Sequence, residues 1–217
     1  LLVTSAAYRM GSTPEPDGLA RDPDERYLWR FAPRRLEAEA VRDGVLAVAG
    51  NLDGTMGGPD LDHGLGLSSR RRSLYFRHAA EKQMEFLTTF DAANVSECYR
   101  RSQSIVPQQA LALANSSLAL AQSRLLARAL SKEAGPDQVF VQAAFEQVLG
   151  RPPTADEQVA CRKFLADQAA LLADRKKLTA FGAGAPAPVP ASADAALRAR
   201  EGLIHVLLNH HEFVTIR

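Results

Sequence analysis

Cysteine is scarce: Cys98 and Cys161 are the only two among 217 residues. Small disulfide scaffolds need a denser set, so two free, buried thiols are expected, with a single disulfide as the alternative. Neither cysteine sits in a C-x-x-C or C-x-x-C-H pattern, which excludes thioredoxin chemistry and covalent haem attachment here. Aromatic residues make up 6% of the chain, too few for a base-stacking platform. The net charge of +1 provides no global field to recruit nucleic acid or an anionic membrane. No run of 18 apolar residues is present, so no transmembrane helix is expected. Walker loops, G-x-S-x-G elbows, dinucleotide fingerprints and H-E-x-x-H are also missing. The chain opens Leu1-Leu2-Val3-Thr4-Ser5 with no methionine and no basic n-region. It is therefore read as lacking a signal peptide and as the C-terminal portion of a longer polypeptide.

What is present is ordinary for a folded domain. Hydrophobic residues at 46% and charged residues at 24% exclude wholesale disorder, and this length supports a real core. Arginine outnumbers lysine 21 to 5. Guanidinium is planar, always charged and suited to buried pairing; a GC-rich genome is the alternative source of the bias.

Along the chain, residues 8–30 are rich in turn formers and end in an expected helical turn over 25–30. Pro33 suits a first helical position. Leu36, Ala40, Val41, Val45 and Val48 recur at helical spacing, and Gly50 is a natural stop. A glycine loop follows, N-L-D-G-T-M-G-G-P (51–59). Ser73-Leu74-Tyr75-Phe76-Arg77 is the best strand candidate. Leu111, Ala114, Leu118, Ala121, Leu125 and Ala129 predict one helix over 108–130. Asp137 is expected to cap a helix ending at Gly150, and Thr154-Ala155-Asp156-Glu157 is a capping box. Residues 179–191 read as a mobile Ala/Pro insertion. Ser192 or Asp194 is expected to start the last helix. The expected fold is mostly α. An irregular Arg/Asp-rich N-terminal half (1–103), with one short strand or small hairpin, packs on a C-terminal helical bundle (104–217) within a single domain.

Candidate chemistry concentrates in the first half. Arg34, Arg35, Glu39, Arg42 and Asp43 lie on or beside the first long helix, with Arg35/Glu39 and Glu39/Asp43 at i,i+4. The set suits an anion or a sugar hydroxyl array, or else forms an internal salt-bridge lattice tying the helix to the irregular N-terminal segment, the reading favoured here. Arg70-Arg71-Arg72, leading to Tyr75, is a candidate phosphate, sulfate or carboxylate contact, too short for a nucleic-acid patch; the favoured alternative is a solvated edge with one or two pairings to Asp22 or Asp91. The binding candidates are therefore Arg35, Arg42, Asp43, Arg72 and Tyr75. Asp53, Asp60 and Asp62 flank the glycine loop as weak calcium candidates, joined by Asn51, His63 and His78, although their spacing matches no EF-hand. Neighbouring histidines such as His210 and His211 diverge by about 100° on a helix, which argues against a shared metal. No metal and no cofactor is expected within this chain.

The ordered string of segments carries a resemblance. V-T-S-A-A-Y-R (3–9), D-P-D-E-R-Y-L-W-R (22–30), R-R-L-E-A-E-A-V-R-D (34–43), L-A-V-A-G-N-L-D-G-T-M-G-G-P (46–59), R-R-S-L-Y-F-R (71–77), F-D-A-A-N (90–94), S-I-V-P-Q-Q-A-L-A-L-A-N (104–115), L-G-R-P-P-T-A-D-E (149–157) and L-L-N-H-H-E-F (207–213) together resemble the planctomycete domain of unknown function 1553. In this chain Ala49 stands where that family has serine, Glu25 where it has asparagine and Gln108 where it has leucine. Asp22, Arg26, Trp29, Arg35, Arg42, Asp43, Gly57, Gly58, Arg72, Tyr75, Asp91, Gln109 and Asn115 are in register with it.

The resemblance implies an exported, periplasmic context, cytochrome-c-like domains upstream and a link to complex carbohydrates. It implies no reaction. The expected function is a non-catalytic binding or scaffolding domain, its partners being upstream domains of the same polypeptide or an anionic glycan. The alternatives are a polysaccharide hydrolase using Glu39 or Asp43 as acid/base, which needs two carboxyls about 5–10 Å apart, and a pure inter-domain interaction module.

Overall fold

The computed structural model describes residues 1–97, 101, 104, 106–133, 135–174, 176, 178 and 188–216. Cys98 and most of the Ala/Pro segment lie outside these residues. The chain divides into two compact units, Leu1–Leu36 with Val214–Arg217, and Glu37–Phe213.

The first unit is built around a carboxylate. Helix α1 (Pro16–Arg21) has proline in its first turn and ends at Asp22. Asp22 is the one residue of this unit that is buried, among those described. Its carboxylate accepts the amides of Arg26 at 3.0 Å and Tyr27 at 2.8 Å, and its carbonyl accepts the Trp29 indole N–H at 3.0 Å. The Trp29 ring lies flat against Gly18, where a Cβ would come within 2.5 Å of it. The helical turn expected over 25–30 does not form. Glu25 and Leu28 adopt left-handed backbone, φ 55° and 53°, because the chain folds back over the Asp22 carboxylate. Strand β1 (Arg34–Arg35) pairs antiparallel with β2 (Thr215–Ile216), Arg34 opposite Ile216 and Arg35 opposite Thr215. Pro33 therefore leads into extended chain and not into a helix.

The second unit is helical: α2 (Ala38–Val48), α3 (Glu85–Thr89), α4 (Pro107–Asn115), α5 (Ser117–Glu133), α6 (Asp137–Leu149), α7 (Ala155–Ala173) and α8 (Ala195–Leu208). Helix α8 packs against both α5 and α7. Val41, Val45, Leu46, Phe140, Val141, Ala144, Ile204 and Leu208 form its fully buried centre. Several ends follow the sequence. Gly50 and Gly150 take φ of 69° and 70°, the left-handed stop glycine permits. Thr154 and Glu157 close the capping box, and Asp194 caps α8 by accepting the Ala196 amide at 3.0 Å. Asp137 is the first helical residue, with Pro136 at the cap position.

Three expectations fail on local chemistry. The helix over 108–130 breaks into α4 and α5 at Ser116, which is extended at φ −66°, ψ 126°; its hydroxyl accepts the Ala119 amide at 3.4 Å, and serine favours such a cap over a helix interior. Ser73–Tyr75 is a 3₁₀ turn, not a strand; around it lie only single parallel bridges, Asp53 to Arg71 and Leu61 to Phe76. Helix α8 stops at Leu208, and His211–Val214 form a 3₁₀ turn, so His210 and His211 lie outside it. The chain is mostly α, with one two-stranded ladder among the described residues. No helix is long and apolar enough to cross a membrane, again among the described residues.

Candidate functional site

Helix α2 faces its own loop with a charge. Arg42 falls on the apolar side beside Val41, Val45 and Leu46, and is fully buried. Its guanidinium donates to the carbonyls of Gly66 at 2.8 Å, Ser69 at 2.6 Å and Arg71 at 2.9 Å, and to the Ser73 hydroxyl at 3.3 Å. It also lies 4.8 Å from the centre of the Phe76 ring. Burial pulls Arg42 below its ordinary value and the adjacent Asp43 charge opposes this; a guanidinium stays charged regardless. Asp43 accepts the Ser73 amide at 2.8 Å and the Ser73 hydroxyl at 2.6 Å. Two neighbours on one helix thus bind the backbone of loop 66–73. The expected lattice tied the helix to the irregular N-terminal segment; the contacts of Arg42 and Asp43 run to the following loop, through main-chain carbonyls and through Ser73, a residue the sequence did not single out for chemistry. Its only visible trace was its place beside three arginines.

The other nominated carboxylates are engaged separately. Burial pushes Glu39 up, but hydrogen bonds from Arg101 (2.7 and 3.3 Å) and its charge outweigh that, so its pKa is lowered. A general acid requires the opposite shift. Arg35 lies in β1, so its i,i+4 stack on Glu39 does not arise. Asp53 accepts the Thr55 hydroxyl at 2.6 Å and amide at 2.9 Å, and these bonds lower its pKa. Asp60 pairs with Arg77 at 2.5 Å. Asp62 accepts the Gly64 amide at 2.8 Å and lies 3.4 Å from the His63 ring, while a His78 ring nitrogen bonds the Ala93 carbonyl at 2.8 Å. Cys161 is free and half-buried, and burial raises its pKa.

Further motif residues act in the same way. Asp91, at φ 59°, accepts the Ser104 amide at 2.8 Å, and Gln109 donates to the Thr89 carbonyl at 3.1 Å. Arg151, before the capping box, links Glu157 to Glu212. Such acid–base pairs across 61 residues carry no local sequence signal.

The clamped loop has two free sides. Toward one, His63, Gly66 and Leu67 wall a cavity of about 490 Å³ shared with Glu85, Phe86 and Asn115. Its lining includes a carboxylate and no arginine or lysine. Toward solvent stand Arg70 and Arg72, both exposed. Arg70 donates to the Asn51 carbonyl at 3.0 Å. Between them Arg71 stacks 4.2 Å above the Tyr75 ring and donates to the Gly57 carbonyl at 2.6 Å, while the Tyr75 hydroxyl accepts the Gly57 amide at 2.8 Å. Gly57 and Gly58 hold φ of 77° and 96°, backbone that glycine adopts without strain.

A family model, PSD1, described as a protein of unknown function (DUF1553), matches residues 1–165. Neither a curated protein nor a solved structure matches the chain.

Proposed function

Because the chain belongs to the DUF1553 family, whose description assigns no activity, we propose that it is a non-catalytic binding or scaffolding domain that presents Arg70, Arg72 and Tyr75 to an anionic glycan. One observation carries this reading. Arg42 turns the carbonyls of Gly66, Ser69 and Arg71 inward and leaves the exposed arginines on a held backbone. Guanidinium matches sulfate and carboxylate in paired hydrogen bonds, and side chains already positioned lose less freedom on binding. The cavity beside the loop, with Glu85 and no cation in its lining, suits an anion less well. The engagement of Asp43 with Ser73 and of Glu39 with Arg101 speaks against the hydrolase. Export to the periplasm, as part of a multidomain protein with haem-type domains upstream, belongs to the same proposal and is supported by the family resemblance.

The test is calorimetric titration with a sulfated oligosaccharide. The folded chain binds, and Arg72→Ala and Arg70→Ala each weaken binding about tenfold, as loss of a charged hydrogen bond of roughly 1.5–3 kcal/mol requires, while the melting temperature holds. Absence of binding by the unaltered chain, or full affinity in both variants, refutes the glycan reading.

A second reading has its own observation. Leu1, Leu2 and Val3 are exposed in the first unit, as are Tyr8, Tyr27 and Leu28. An inter-domain interaction module would cover such side chains. Replacing Leu2 and Val3 by serine then abolishes association with the separately expressed upstream domains, and leaves oligosaccharide titrations unchanged.

A further inference from the structure

On a continuing α-helix His210 and His211 would diverge, but the helix ends before them. Helix α8 closes at Leu208 with Asn209 as its cap, and the chain tightens into the 3₁₀ turn His211–Val214. The two imidazoles consequently stand 4.5 Å apart, tilted by 38°. Glu212 joins them: one ligand atom from each of His210, His211 and Glu212 lies within 4.8 Å of the others. Among the described residues this is the group of three such side chains that the fold assembles.

The surroundings of Glu212 resemble the support a metal-ligating carboxylate receives. Arg151 donates Nε–H to one Glu212 oxygen at 2.8 Å and Nη2–H to the other at 2.9 Å. It is itself held by Glu157, Nη1 at 2.8 Å and Nη2 at 2.7 Å. Outer hydrogen bonds of this kind orient a ligating carboxylate. His211 is exposed, and His210 and Glu212 are half-buried, so the group is open to solvent. The Nδ1 of His210 accepts the Glu212 amide at 3.3 Å, a long bond that water replaces if this nitrogen turns to a metal.

We propose that His210, His211 and Glu212 form a binding site for one divalent transition metal of the zinc type, completed by water. Two imidazoles and a carboxylate suit Zn²⁺. Ligands at about 2.0–2.1 Å from Zn²⁺ stand about 3.4 Å apart in a tetrahedron, which small rotations of the two imidazoles supply from the present spacing. Residues 210–212 follow α8 and reach the α6–α7 turn through Arg151, so the metal sits within the helical unit, beside that turn. This site is independent of the Arg70/Arg72 surface.

The experiment uses the full chain stripped with chelator and titrated calorimetrically with Zn²⁺, with Co²⁺ as the spectroscopic probe. One Zn²⁺ binds per chain, and Co²⁺ gives the intense visible bands of a four-coordinate site. His211→Ala, at an exposed position, lowers affinity at least tenfold with the fold intact, and His210→Asn does the same. Glu212→Gln also weakens binding; if it fails to fold because Arg151 loses its partner, the two histidine variants still decide. Unchanged Zn²⁺ affinity in His211→Ala overturns the site, as does a dissociation constant above the millimolar range. Wild-type affinity in a folded Glu212→Gln chain reduces it to a surface histidine pair and overturns the three-ligand assignment.

Discussion

At the scale of single residues, the polar side chains that look like chemistry serve to hold backbone. Arg42, Asp43, Asp22, Asp91 and Gln109 stand in motif segments, and each binds main-chain groups of a loop. Their residue types are legible in the sequence. Their partners are not, because a guanidinium that reads three carbonyls 24 to 29 residues away leaves no periodicity. The backbone at Glu25 is not legible either, because glutamate is not a residue that marks left-handed φ, as glycine or asparagine would. Arg42 offers the sharpest test. Its removal leaves buried loop carbonyls without donors, and breaking a buried charged set costs roughly 3–5 kcal/mol. Arg42→Met should therefore lose about that much stability in urea denaturation. Arg42→Lys should recover only part of it, because one ammonium cannot span three carbonyls. A loss below about 1 kcal/mol in Arg42→Met would show that the loop holds itself.

At the scale of elements, stops and caps with strong local chemistry are readable and tertiary pairing is not. Gly50, Gly150, Asp194 and the Thr154 capping box match expectation because glycine's φ freedom and side-chain capping act within four residues. The break at Ser116 and the extended Arg34–Arg35 escape it; the first is hidden inside an apolar repeat, the second is imposed by Thr215–Ile216 far along the chain. The α6–α7 turn joins both kinds. Glu157 caps α7 and also receives Arg151, whose hydrogen bond is the largest influence lowering its pKa to about 2. In an unfolded chain its value lies near 4.5, so below that pH the unfolded state binds the extra proton first. The stabilisation is complete above pH 4.5 and is lost as pH falls toward 2. With the Glu157 side chain 31% exposed, solvent screening reduces the contribution to about 1 kcal/mol. Glu157→Gln keeps the cap and removes the titration. The melting temperature of the variant should approach that of the wild type between pH 5 and 3; parallel curves across that range would dissociate Glu157 from acid stability.

At the scale of the whole molecule, the two units differ in what holds them together. The helical unit buries Phe140, Val141, Ile204 and Leu208, and burial of each such side chain contributes about 1.5–3 kcal/mol. The first unit buries Asp22 alone among its described residues, and leaves Leu1, Leu2, Tyr8, Tyr27 and Leu28 exposed. Its order rests on the hydrogen bonds of Asp22, the Trp29 ring over Gly18 and a two-residue ladder. Hydrogen bonds to an aspartate contribute roughly 1.5–3 kcal/mol each, and that sum is small beside an apolar core. Regions with few buried apolar contacts open first. The composition supplies a probe for this, since Trp29 is the sole tryptophan and lies in the first unit, whereas most of the helix lies in the second. Urea titration should show the Trp29 fluorescence transition at lower denaturant than the loss of helical circular dichroism. Asp22→Asn should move the first midpoint down and leave the second in place, because only the first unit uses that carboxylate. Coincident transitions that shift together in the variant would instead mean that the two units unfold as one cooperative body.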